Sequence, residues 1–109
     1  MGSDRPLNAL RSWLDARTGG APPVLRARLL EHVRSIGAER EVAQDGAALL
    51  ARAGMASLEA VAAHPGDRSV ALDLLAADGL ITLALLHRAE TDPAGLATFA
   101  RALTEAEAP

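Results

Sequence analysis

The stretch "DLLAADGLITLALLHRAE", residues 73–90, constrains this chain more than any other. At about 100° per residue its leucines and alanines point in every direction around a helix: Leu74, Ile81 and Leu85 in one sector, Leu72, Leu83 and Leu86 in another, Ala77, Leu80 and Ala84 in a third. A helix that is apolar all round is expected to be surrounded by protein. Asp73, Asp78 and His87 leave too short a clean run for a membrane span, so no membrane partner is expected.

No segment alternates with period two, and apolar residues elsewhere recur at helical spacing. Pro6 suits the first turn of a helix lined by Leu7, Leu10 and Leu14, and "TGGAPP" ends it. A second helix is predicted from about Pro23 to Ile36, with Leu25, Leu29, Val33 and Ile36 on one face and Gly37 as its stop. A third is predicted from about Glu39 to Ala53, showing Val42, Gly46, Leu49, Leu50 and Ala53, with Gly54 as a left-handed cap. Ser57 then reads as the N-cap of a short helix reaching His64. Asp67 or Ser69 caps the apolar helix, placed at about 69–90. Asp92 and Pro93 open a last helix lined by Leu96, Phe99, Ala100 and Leu103.

The expected fold is therefore all-α: a compact bundle of five to six helices around the apolar one. Its 109 residues fit a single domain with frayed N-terminal residues and an acidic C-terminal tail. Five neighbours, some short, do not obviously cover every side of a rod roughly 30 Å long. An uncovered side would be a subunit interface, most simply a homodimer. Gly79 in mid-helix is expected to mark a close approach of another helix.

The segment "LLARAGMASLEAVAAHP" resembles the rhythm of helix-hairpin-helix DNA-binding modules, which implies two helices joined near "AGMAS". The phosphate-gripping Gly-x-Gly hairpin and basic flank of that family have no counterpart here, so DNA binding is not carried over. The net charge of −3, with eleven arginines, no lysine and fourteen acids, also has the wrong sign for a general nucleic-acid binder.

Cysteine is absent, which excludes disulfides, thiolate metal sites and thiol nucleophiles. No signal-peptide pattern opens the chain, so a cytoplasmic location is expected. His87 and Glu90 supply one His-x-x-Glu, far short of a di-iron set, and no metal or cofactor is expected. His64 reads as a residue at a helix C-terminus.

Asp73 and Asp78 are the candidate site residues. A carboxylate on so apolar a helix is expected to be paired, hydrogen-bonded or neutralised. The two lie about 140° apart and do not converge on one ligand atom. With no Arg three or four positions away, partners must come from other helices; Arg26, Arg28, Arg34 and Arg52 are candidates. Two readings follow. One is a non-enzymatic interaction module, a homodimer or small subunit of a larger assembly. The other is a bundle whose hydrophobic pocket holds an apolar small molecule. There a buried Asp78 and inward-facing His32 do acid–base chemistry, Asp73 and Asp78 contact the ligand and Trp13 edges the pocket.

Overall fold

The computed structural model describes residues 4–39, 45–63, 66 and 68–107, and among these every regular element is helical. The elements are α1 (Asp4–Arg17), α2 (Pro23–Glu39), α3 (Gly46–Ala63) and α4 (Ser69–Thr91), then a 3₁₀ turn (Pro93–Gly95) and α5 (Leu96–Glu107). The all-α bundle with an apolar central helix is as the sequence implies.

Local chemistry fixes most boundaries. Thr18 closes α1, its amide (2.9 Å) and hydroxyl (2.7 Å) both donating to the Leu14 carbonyl, before the Gly-Gly-Ala-Pro-Pro break. Pro23 occupies the first position of α2, where a missing N–H costs nothing. Asp45 caps α3, its carboxylate accepting from the Ala48 amide at 3.1 Å. Asp92 accepts from the Gly95 amide at 3.3 Å and opens the turn into α5. Arg68 is the N-cap of α4 and makes no side-chain capping bond. Asp67, His64 and Val42 lie outside the described residues.

Two predicted breaks are absent. α2 continues through Gly37 to Glu39, and α3 continues through Gly54 and Ser57 to Ala63. Among the described residues Gly66 alone has positive φ (89°), so neither Gly37 nor Gly54 takes the left-handed conformation a C-terminal cap needs. Ser57 is fully buried, and its hydroxyl donates to the Ala53 carbonyl at 3.1 Å, one turn back within the same helix. The helix-hairpin-helix resemblance therefore fails at its turn: the segment is continuous helix as far as Ala63.

Gly54 is instead the point where α3 meets α4. A Cβ placed there would lie 2.8 Å from Ile81 Cγ1 and 3.3 Å from both the Ala77 carbonyl oxygen and Leu80 Cβ. Ala53, Ala76, Ala77 and Ala84 are also fully buried, so small side chains form the seam. The helices run antiparallel, because Gly46 lies against His87 while Gly54 lies against Ala77–Ile81. Gly79, expected to mark the close approach, has room: its Cβ would meet Leu29 Cδ2 at an ordinary 3.5 Å.

Leu29 and Val33 from α2, Leu10 and Leu14 from α1, Leu49 and Leu50 from α3, and Leu80 from α4 complete the core. α5 folds back along α4, its Phe99 and Leu103 packed against that core. Both α3 and α4 are long and apolar enough to cross a membrane by length and composition; a core helix passes the same test.

Candidate functional site

The neighbours of α4 leave one side open. Burial along the helix follows its 3.6-residue period: Ala76, Ala77, Leu80 and Ala84 are buried, whereas Ala71, Leu74, Leu75, Asp78, Thr82 and Leu86 are exposed. At about 100° per residue these six fall within roughly 120° of arc. Leu74, Leu75 and Leu86 are 50%, 56% and 40% exposed, and they are three of four large apolar side chains exposed to that degree among the described residues. Among the described residues the uncovered side that the sequence allows for is present, along one face of α4. α1, α2, α3 and α5 share the other side, and an apolar face about two-thirds of the helix long has no partner among the described residues.

The same period separates the two aspartates. Asp78 is exposed, in the middle of the open face, so it is not the buried acid the sequence suggested. Asp73 turns inward, where α2 supplies both of its partners. Arg28 Nε lies 2.9 Å from Asp73 Oδ1, an ion pair whose Nε–H is not aligned for a hydrogen bond. His32 Nε2 approaches the same oxygen at 3.3 Å. Of the four candidate arginines, Arg28 is the partner, and Arg26 pairs with Asp15 at 2.7 Å. His32 is thus half-buried beside Asp73, and the predicted Asp78–His32 pair does not form. A carboxylate shared by a guanidinium and an imidazole joins α2 to α4 and satisfies an acid that would otherwise sit unpaired at a helix junction.

A second polar cluster lies at the far end of α4. Trp13 Nε1 donates to Glu90 Oε1 at 3.0 Å, and Arg17 NH2 donates to the same oxygen at 2.7 Å. Those two bonds hold the Glu90 carboxyl below its ordinary range, the Trp13 bond contributing most. The Trp13 ring also meets the His87 ring edge-on, with centroids 4.9 Å apart, and carries the Arg17 guanidinium at 5.1 Å. Burial pushes the His87 imidazole below its usual value; Asp45 and Glu90 oppose that shift, and Arg88 adds to it. Arg88 in turn donates to Asp45 at 2.9 Å and covers the Phe99 ring at 4.5 Å. The Arg17–Glu90 and Arg88–Asp45 pairs escaped sequence reasoning because they span 73 and 43 positions, whereas the local cap by Asp45 was hidden by a predicted helix start near Glu39. Trp13 is committed to Glu90 and His87.

Two described cavities fall elsewhere. One, about 190 Å³, opens between α3, α4 and α5 and is lined by Met55, Ile81, Leu85, Ala100, Leu103 and Thr104. The other, about 50 Å³, lies between Arg11, Leu30, Val33 and Arg34. Neither is lined by Asp73, Asp78, His32 or Trp13. Among the described residues no three acidic or histidine side chains gather in a way that could hold a metal ion. Comparison with protein-family models, curated proteins and solved structures gave no match.

Proposed function

We propose that this chain is a non-enzymatic helical interaction module of the cytoplasm that forms a homodimer through the open face of α4. The observation that carries this reading is the exposure of Leu74, Leu75 and Leu86 along one stripe of the central helix. Scattered surface leucines need no explanation, but a continuous stripe on a core helix leaves apolar area in water that association removes. The small-molecule alternative has weaker support, because its acid–base pair is not brought together and the apolar cavity lacks both residues.

Magnitude sets what to expect. Burying a whole leucine side chain is worth about 1.5–3 kcal/mol, and roughly half of Leu75 is available, so its loss costs about 1 kcal/mol per copy. In a symmetric dimer that doubles to about 2 kcal/mol, or roughly 30-fold in Kd. Six residues a side is a small interface, which places the dimer in the weak class.

Sedimentation across a concentration series tests the reading. The wild type should associate in the micromolar range, Leu75→Ala should weaken it by the factor above, and Leu75→Glu should be a monomer with unchanged helicity. A wild type that stays monomeric to high micromolar concentration overturns the proposal. So does one that associates only in the presence of lipid vesicles.

A further inference from the structure

We infer that two copies pair antiparallel through the open face of α4, about a two-fold axis lying between the two helices at the level of the Leu80–Ile81 midpoint, with Asp78 of each accepting a hydrogen bond from the partner's Thr82. This rests on the dimer reading and adds to it the register and the role of the two polar residues.

The positions on the face carry the inference. Leu75 and Leu86 lie equally far from the Leu80–Ile81 midpoint, about 8 Å to either side along the axis. Turning a second copy about that point therefore sets Leu86 of one chain at the level of Leu75 of the other. At that level Leu86 faces the hole bounded by Ala71, Leu74, Leu75 and Asp78, an i, i+3, i+4, i+7 set in which alanine leaves room for a leucine knob. The same operation brings Asp78 to within about 1.5 Å, along the axis, of the partner's Thr82. One residue accepts and the other donates, so a single rotation satisfies both polar groups twice.

A parallel pairing does the reverse. It sets the two Asp78 carboxylates against each other in a face being removed from water, and it leaves Thr82 opposite Thr82. An unrelated partner would not require the polar and apolar positions of this face to complement each other about one point. The second copy is therefore the occupant to which the observations point, and Asp78 is its register-setting residue.

The absence of cysteine makes the register directly measurable. Leu75→Cys, Leu86→Cys and the double variant are oxidised at a concentration where the wild type is dimeric, then separated without reductant. The antiparallel register predicts covalent dimer from the double variant and little from either single one. Two Leu75 positions would be roughly 16 Å apart along the axis, and a disulfide needs Cα atoms within about 7 Å. Efficient cross-linking of Leu75→Cys alone overturns the register while leaving the dimer intact. Failure of the wild type to dimerise removes both.

A second readout concerns the polar pair. Thr82→Val keeps the shape and removes the donor, and should raise Kd by roughly tenfold or more. Thr82→Ser should restore association to within a few-fold of wild type. A Thr82→Val dimer as tight as wild type overturns the hydrogen bond.

Discussion

Gly54 and Gly79 both interrupt otherwise good helices, yet replacing them with alanine should move stability in opposite directions. Alanine in a helix interior is worth about 1 kcal/mol over glycine, since it loses less backbone freedom on folding. At Gly79 that gain is nearly free, because the new methyl would meet Leu29 Cδ2 at 3.5 Å. At Gly54 the methyl would press on Ile81 Cγ1 at 2.8 Å and on the Ala77 carbonyl and Leu80 Cβ at 3.3 Å. Two of those three atoms are backbone or directly attached to it, so relief requires the helices to separate. Overpacking of this kind costs about 1–3 kcal/mol, which exceeds the propensity gain. Gly79→Ala should then be stabilised by about 0.5–1 kcal/mol and Gly54→Ala destabilised by about 1 kcal/mol. For a domain near this size the gap corresponds to roughly 10 °C in Tm. Thermal and urea unfolding followed by circular dichroism, on dilute protein so that association does not contribute, measures both variants. If Gly54→Ala is stabilised as much as Gly79→Ala, the two helices do not touch at Gly54 and the seam is wrongly placed.

Three further outcomes are expected. The folded His87 imidazole titrates below its ordinary value of about 6.5, so the unfolded chain binds more protons near pH 6 and this contribution to stability, present above that value, is lost as pH falls. An NMR titration giving a midpoint at or above the ordinary value would contradict it. Ser57→Ala should change unfolding stability by less than about 0.5 kcal/mol, because the hydroxyl donates to a carbonyl already in its own helix; a loss of about 1 kcal/mol or more would instead signal an N-cap. Asp73→Ala should cost about 1–3 kcal/mol in urea melts by removing the carboxylate that Arg28 and His32 share, Arg28 keeping its 3.5 Å approach to Glu31, whereas Asp78→Ala should leave the monomer's stability within about 0.5 kcal/mol.

What the sequence disclosed and what it hid divide along one physical line. Boundaries made by local chemistry were legible: Pro23 at the start of α2, Asp92 and Pro93 before α5, and the Gly-Gly break after Arg17. So were the stripes on helices with a clear apolar side, such as Leu10 with Leu14 and Leu29 with Val33. Gly54 was misread because a glycine that ends a helix and one that admits another helix look alike until the second helix is in place. On α4 the apolar residues lie on every side, so periodicity had no contrast with which to say which side the chain would cover. The two aspartates share that ambiguity. Arg28, 45 positions before Asp73, separates them, and no local spacing connects the two. The Trp13–Glu90 bond, spanning 77 positions, was out of reach for the same reason.

The α3–α4 seam also bears on the order in which the molecule assembles. Its two helices are consecutive in the chain and meet through alanine and glycine, so they can dock after a small loop closes and with little side-chain ordering. α5 likewise follows α4 directly and packs back upon it. Contacts of such short sequence separation favour rapid folding and place the α3–α4 hairpin early on the route. The ties between Trp13 or Arg17 and Glu90 span 77 and 73 positions, the longest separations of any hydrogen bond among the described residues, and are expected late. Mutations at Ala53 or Ala77 should therefore slow folding, while loss of the Trp13–Glu90 bond should chiefly hasten unfolding.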